Sequence, residues 1–160
     1  FYDGEMMRVQ MNKNVEAASI LGGGGSACFT LNRKFLISSK LNYLQGRKGN
    51  NEPLAHIPPL NANLSFNYAL AKIKWIFYVD YNGWKLAKDY DLSGIDNLDE
   101  ATIDGNPSWY TLNIVFKKTL SKSFFLTCSI KNILDHHYKT FGSGLSGSGR
   151  NFVVSLSSTF

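Results

Sequence analysis

Apolar and polar residues alternate along several segments of the chain, and a period of two places successive side chains on opposite faces of a β-strand. In residues 61–69, for example, Leu64 and Phe66 alternate with Asn63 and Ser65. The same split recurs over residues 26–31, 35–43, 73–82, 110–117, 124–131 and 151–160. The pattern predicts about seven strands and no helix of useful length. A glycine run at 22–25 predicts a bulge or a bend.

The connections between these strands alternate in length. Short turns are predicted at residues 32–34, 71–72 and 120–122, and long polar links at 45–59, 83–108 and 132–149. All short turns therefore lie at one end of the sheet and all long loops at the other. Outer-membrane barrels have this arrangement, with short periplasmic turns and long external loops.

Charges within the predicted strands lie on the polar side, at Lys40, Lys74, Asp80, Lys117 and Lys131. A lysine that faces lipid near the bilayer midplane costs about 2 to 4 kcal/mol, so a membrane requires this sorting. In water the apolar faces would need a second layer, and the chain has no helices or spare strands to supply one. Aromatic residues near both strand ends are typical of interfacial girdles, with ring packing in an ordinary core as the alternative.

The composition fits a membrane protein built from strands. The 160 residues are 44% apolar and 14% aromatic, with a mean hydropathy of -0.16. No run reaches the roughly 18 apolar residues of a membrane helix, which excludes a helical membrane protein. The chain starts at Phe1 with no readable export signal. The net charge of +5 comes from scattered basic residues and does not favour nucleic-acid binding.

Groups with possible site chemistry have simpler interpretations. Cys28 and Cys128 lack metal or redox spacing, and the adjacent His136 and His137 point to opposite sides of an extended segment. The acidic residues at 89–104 lack the order of a calcium loop and are interpreted as part of a solvated, charged loop. The Gly/Ser segment 142–149 precedes no helix and is interpreted as a flexible surface loop. No nucleophile elbow occurs, so we predict no catalytic residue, no metal site and no cofactor.

More specific motifs occur in four places along the chain. They are PLAHIPP at 53–59, YNGW at 81–84, DGNPSWYTLN at 104–113, and KNILDHHY at 131–138, which leads through GRNF at 149–152 to a strand ending on Phe160. Together they resemble the C-terminal part of the barrel of TonB-dependent outer-membrane receptors, of the type found in Bacteroidetes. The resemblance covers essentially the whole chain.

The resemblance implies an all-β fold in which residues 1–160 form one antiparallel transmembrane β-barrel segment, about seven strands of a 22-stranded barrel. The family's plug domain and TonB box have no counterpart in these residues. The implied function is TonB-dependent uptake of a scarce ligand, of the siderophore-iron, haem or cobalamin class, across the outer membrane of a Gram-negative bacterium. The implied partners are the plug domain, the remaining barrel strands, the TonB complex, the barrel assembly machinery and outer-membrane lipid.

The resemblance also implies roles for individual residues. Trp84, Tyr90 and Trp109 are expected to contact the ligand, and the five charged strand residues named above are expected to line the lumen. Phe160 is expected to be the signal that the barrel assembly machinery recognises. Three alternatives stay open: a passive outer-membrane porin, a small barrel enzyme, and a soluble β-rich binding module. The ligand cannot be derived, because specificity lies in loops and plug together.

Overall fold

A computed structural model describes residues 17–93 and 95–159. The strands are β1 Ala18–Thr30, β2 Phe35–Lys48, β3 Asn61–Leu70, β4 Ile73–Asn82, β5 Lys85–Leu86, β6 Gly105–Asn106, β7 Trp109–Thr119, β8 Phe124–Lys131 and β9 Asn151–Ser158. Seven of them form one antiparallel sheet in the order β1–β2–β3–β4–β7–β8–β9, and β5 pairs with β6 in a separate two-stranded ribbon. Two single-turn 3₁₀ helices lie at Ala87–Asp89 and Leu98–Glu100.

The register of the main sheet gives it an apolar face and a polar face. One row across six strands consists of Ile37, Phe66, Phe77, Ile114, Ile130 and Phe152. These side chains pack edge to edge within the row but have no layer above them: Phe66 is 46% exposed and Phe152 70%. The predicted alternation is confirmed, and the described sheet is a single-layered wall.

Short turns close one end of the wall, which we call the short-turn end. The Asn32 side chain accepts the backbone amides of Lys34 and Phe35 at 2.9 and 3.1 Å. Ser121 does the same for Ser123 and Phe124. At the third turn Ala71 takes a φ of 48°, which a two-residue hairpin requires at its first central position. The long connections all lie at the opposite end, the long-loop end, as predicted.

Of the bulge or bend predicted at the glycine run, the register excludes the bulge. Gly22 to Gly25 pair one to one with Leu44 to Leu41, so β1 stays regular from Ala18 onward. Glycine is required at position 22, because a Cβ there would lie 2.6 Å from the Tyr43 carbonyl oxygen. The missing side chains thus allow a close approach between β1 and β2 without an extra residue.

Within the described residues β1 and β9 are each paired on one side only. Phe160 lies outside the described residues. No helix in the described part of the chain is long and apolar enough to cross a membrane.

Candidate functional site

Hydrogen bonds join the polar face of the sheet across neighbouring strands. The Asp80 carboxylate accepts from the side-chain amides of Asn63 at 2.7 Å and Asn113 at 3.4 Å. The hydroxyls of Ser38 and Ser65 lie 2.7 Å apart. This network covers the half of the face nearer the long loops and provides a preorganised surface of amides, hydroxyls and one carboxylate.

The four lysines predicted to line the lumen lie on this same polar face but outside the network. Lys40 is opposite Asn63, and Lys131 is opposite Asn151. Lys74 is directly opposite Lys117, and neither makes an ion pair with any described residue. Lys74 and Lys117 therefore give the short-turn half of the polar face a positive potential, whereas the Asp80 carboxylate accepts two amide hydrogen bonds in the half nearer the long loops.

The long connections pack together as one unit, here called the loop cluster (residues 52–60, 83–108 and 132–149). Lys85 on β5 lies inside it with 6% exposure. Its Nζ donates to the Ile57 carbonyl at 2.7 Å and lies 5.1 Å from the centre of the Phe141 ring. Because one ammonium group contacts all three connections through Ile57, Tyr90 and Phe141, it holds them together.

Ion pairs reinforce the loop cluster. Lys48 at the end of β2 pairs with Asp91, which is 3% exposed. The carboxylate of Asp96 accepts a hydrogen bond from the His56 backbone amide at 3.0 Å, and it lies 3.0 Å from Nδ1 of the His56 ring. Arg47 reaches Asp89 at 3.3 Å. The extension of β2 to Lys48, beyond the predicted strand end, brings these cations to the loops.

Burial and charge shift three pKa values in the loop cluster. Burial lowers the pKa of Lys85, although Asp89 and Asp96 oppose this, and it raises the pKa of Tyr90. For Asp91, burial by itself would raise the pKa. The hydrogen bonds from Lys48 and Ser93 outweigh that effect, and the net pKa lies below its ordinary value of 3.8.

Asn132 fixes the last long connection to the polar face of the sheet. It is 2% exposed and has a φ of 50°. Its backbone amide donates to the Asn113 side chain at 2.9 Å, and its own side chain donates to the carbonyls of His136 and Ser148. Gly147 lies against the Tyr138 ring. The segment predicted as a flexible loop is thus held by defined hydrogen bonds.

The three aromatic residues predicted to contact a ligand occupy different environments. Trp84 is 48% exposed and donates to the Asp104 carbonyl at 3.3 Å. Tyr90 is 2% exposed inside the loop cluster, where its ring contacts Phe141, so it supports the loops from within. Trp109 lies on the polar face at the start of β7 and packs on Tyr138, with ring centres 4.2 Å apart.

Trp109 also provides a hydrogen-bonding group without a partner. Its Nε1 is buried and unpaired, and so is Oδ1 of Asn82, the residue directly opposite it in β4. Buried donors and acceptors are nearly always paired in folded proteins. This donor and this acceptor, at the junction of polar face and loop cluster, are therefore the best-placed groups for a bound polar molecule. Trp109 is among the residues predicted to contact a ligand, whereas sequence periodicity gives no signal for Asn82.

No group of three or more His, Cys, Asp or Glu side chains that could hold a metal ion occurs in residues 17–93 and 95–159. Cys28 and Cys128 are both free thiols.

Comparison with solved structures matches this wall and its loops to larger proteins. The chain superimposes on the copper transporter OprC with a TM-score of 0.77 and 17% identity, over 89% of this chain and 24% of that one. It also matches the ferripyoverdine receptor of the outer membrane of Pseudomonas aeruginosa (TM-score 0.62, 13% identity, 87% and 19% covered). A third match is the ferric yersiniabactin uptake receptor FyuA from Yersinia pestis (0.61, 15%, 89% and 24%). No family model and no curated protein matches the chain.

All three neighbours are TonB-dependent outer-membrane receptors. The described sheet has the fold of their barrel wall. The chain spans about a quarter of the length of OprC and of FyuA and 19% of the ferripyoverdine receptor. The predicted fold class, an all-β antiparallel barrel segment of seven strands, is therefore confirmed, and the neighbours are a transporter and two receptors rather than enzymes.

Acid is expected to loosen the loop cluster through Asp91. Because the pKa of Asp91 is lower in the folded protein than in the unfolded chain, its stabilisation is complete above pH 3.8 and is lost as the pH falls through the lower folded value. Near pH 7 we expect backbone amides at 83–104 to exchange more slowly in the wild type than in Asp91→Asn. The free energy of local opening should be about 1 to 2 kcal/mol higher in the wild type. The difference should vanish at low pH. A difference that persists unchanged in acid would contradict the role of the Asp91 carboxylate.

Proposed function

We propose that this chain is part of the barrel of a receptor in the outer membrane of a Gram-negative bacterium, of the Bacteroidetes type, that takes up a scarce ligand through TonB. Residues 1–160 are then one portion of the barrel domain. The observation that carries the proposal is the polar face, which continues from Asp80 and Asn113 through Asn132 into ordered loops at the long-loop end. A receptor needs such a surface, leading from the loops into the lumen.

The proposed ligand class is a siderophore-iron complex, haem or cobalamin. Two of the matched structures are named for ferric siderophore ligands and one for copper transport. In the proposed ligand class the metal arrives within a chelate, and the protein would recognise the chelate's polar groups. The unpaired Trp109 Nε1 and Asn82 Oδ1 suit such groups, with Trp84 and the lumen lysines as further contacts.

The proposed partners follow from the same fold. The plug domain and the remaining strands would complete the barrel and contact the polar face, and the TonB complex would act through the plug. The barrel assembly machinery would recognise Phe160, and outer-membrane lipid would contact the apolar face.

Uptake by cells that lack the gene encoding this chain tests the function. Labelled ferric siderophores, haem, cobalamin and copper are supplied one at a time to the wild type, the deletion strain and a strain without TonB. We expect uptake of one ligand to be lost in both mutants. Uptake that needs the gene but not TonB would identify a passive porin instead. Recovery of the protein in the soluble fraction would contradict the proposal altogether.

Removal of one hydrogen-bond donor tests where the ligand binds. Trp109→Phe keeps the aromatic contact with Tyr138 but removes Nε1–H, and a ligand acceptor left without its donor costs about 1 to 3 kcal/mol. We expect a loss of affinity of about 5- to 150-fold in the full-length protein, measured by quenching of a fluorescent ligand analogue. Tyr81→Phe, which also removes one polar group at this end of the wall but from the apolar face, should bind normally. Equal binding by both variants would exclude Trp109.

A further inference from the structure

The apolar face of the sheet carries a groove of about 360 Å³, which extends from the middle row of the face toward the short-turn end. Phe116, Cys128 and Val154 are direct neighbours in one row of the face, and the row runs from large to small side chains. The groove forms because Cys128 and Val154 are short. Rings and branched side chains stand around them, and the principal lining residues are Trp75, Phe116, Cys128, Ile130, Phe152 and Val154.

A lysine lies beside this groove on the same apolar face. Lys118 follows Phe116 by two residues in β7, so the two side chains project in the same direction about 7 Å apart. Its cross-strand partners are Ile73 and Leu126, both apolar. Among the described strand residues of this face only Arg47 is also charged, and Arg47 pairs with Asp89. Lys118 pairs with no described carboxylate.

The surrounding short-turn end carries positive charge only, in the part of the chain that the structure describes. Arg33, Lys34, Lys72 and Lys122 lie in the turns, whereas every described Asp and Glu lies at Asp80 or farther toward the long loops. A lysine side chain can keep its stem on an apolar surface while its ammonium group reaches a polar interface. Lys118 and the cations of the two turns next to the groove strands, Lys72 and Lys122, therefore form a positive rim directly below an apolar groove.

We propose that this groove and its rim bind an anionic glycerophospholipid. One acyl chain lies in the groove over Cys128 and Val154, and the phosphate contacts Lys118. The inference rests on the proposed function, because it requires the apolar face to lie in a bilayer. Short turns of such barrels face the periplasm, so the lipid belongs to the periplasmic leaflet. Charge complementarity selects an anionic lipid over a zwitterionic one. The rim supplies cations, and the phosphate of an anionic lipid has no cation in its own headgroup to balance it.

Fluorescence quenching of Trp75 tests the proposal. The full-length protein is reconstituted into phosphatidylcholine vesicles that contain, at equal mole fraction, dibrominated phosphatidylglycerol or dibrominated phosphatidylcholine. The signal of Trp75 is taken as the difference between the wild type and Trp75→Phe. We expect about fivefold stronger association of the brominated phosphatidylglycerol, which corresponds to about 1 kcal/mol for one lysine at an anionic surface. Lys118→Gln should abolish this preference, and Lys88→Gln, the same charge change in the loop cluster, should retain it.

The other outcomes distinguish a failure of the lipid site from a failure of the proposed function. Equal quenching by the two lipids, or a preference that survives in Lys118→Gln, would overturn the lipid site and leave the proposed function intact. No quenching of Trp75 by either lipid would show that the apolar face does not contact the bilayer, and would overturn the proposed function as well. Cys128→Leu, which fills the groove floor but retains Lys118, should weaken the quenching of Trp75 by both brominated lipids, and unchanged quenching would exclude the groove.

Discussion

Lysine in place of Phe66 is expected to destabilise the folded protein by about 2 to 4 kcal/mol. Phe66 lies in the middle of β3 on the apolar face, between Ile37 and Phe77 in the register. If lipid covers this face, the substitution places an ammonium group near the bilayer midplane. The free energy of unfolding is measured by urea titration of the full-length protein in phosphatidylcholine vesicles, with tryptophan fluorescence as the signal.

The neighbouring residue provides the matched control. Asn67→Lys introduces the same charge one position along β3, on the polar face, and we expect a loss of less than about 1 kcal/mol. Similar losses in both variants would contradict the assigned faces. A Phe66→Lys variant as stable as the wild type would mean that water, not lipid, meets the apolar face.

Methionine in place of Lys85 is expected to open the loop cluster. Met matches the stem of lysine but leaves the Ile57 carbonyl without its donor and removes the cation from the Tyr90 and Phe141 rings. An unsatisfied buried acceptor costs about 1 to 3 kcal/mol. Hydrogen exchange of backbone amides at 83–104 in the full-length protein should be faster by the corresponding factor of about 5 to 150, with exchange in the strands unchanged.

Lys88→Met is the control for this substitution. Lys88 is an exposed lysine three residues away with no hydrogen bond or ion pair among the described residues, so its replacement should change stability by less than about 0.5 kcal/mol. If Lys85→Met exchanges as slowly as Lys88→Met, Lys85 does not hold the loops together. Faster exchange in all strands would instead mean that Lys85 contributes to the stability of the whole wall.

The strands and their faces could be predicted from the sequence because each side chain reports its own environment. In β3 the change from Asn63 to Leu64 to Ser65 shows the facing residue by residue, and the register then follows from matching faces across short turns. The pattern failed at the long-loop end of β2, where the strand continues into the loop cluster. Gln45 to Lys48 continue β2 without alternation because loop residues contact both faces. Leu54 and Ile57 lie against Gly46 on one face, and Asp89 pairs with Arg47 on the other.

The loop cluster could not be predicted because its contacts are between distant residues with no periodic signal. Lys85 and Ile57 are 28 positions apart, and His56 and Asp96 are 40 apart. Tyr90 illustrates the consequence: an aromatic residue in a long polar loop suggested an exposed ligand contact, yet packing against Phe141 places it inside. The charged residues of the loop looked solvated for the same reason, although Asp91 and Asp96 are each 3% exposed.

Oxygen accessibility along β4 tests most directly whether this sheet is a membrane-spanning wall. Cys28 and Cys128 are first replaced by serine, because both are free thiols. Single cysteines are then introduced at positions 74 to 81 of the full-length protein, spin-labelled, and examined in phosphatidylcholine vesicles. We predict collisions with oxygen, which concentrates in the bilayer, to peak at Trp75, Phe77 and Val79, and collisions with a water-soluble nickel chelate to peak at Lys74, Tyr78 and Asp80. An absence of this two-residue period, or maxima with the opposite phase, would contradict the account.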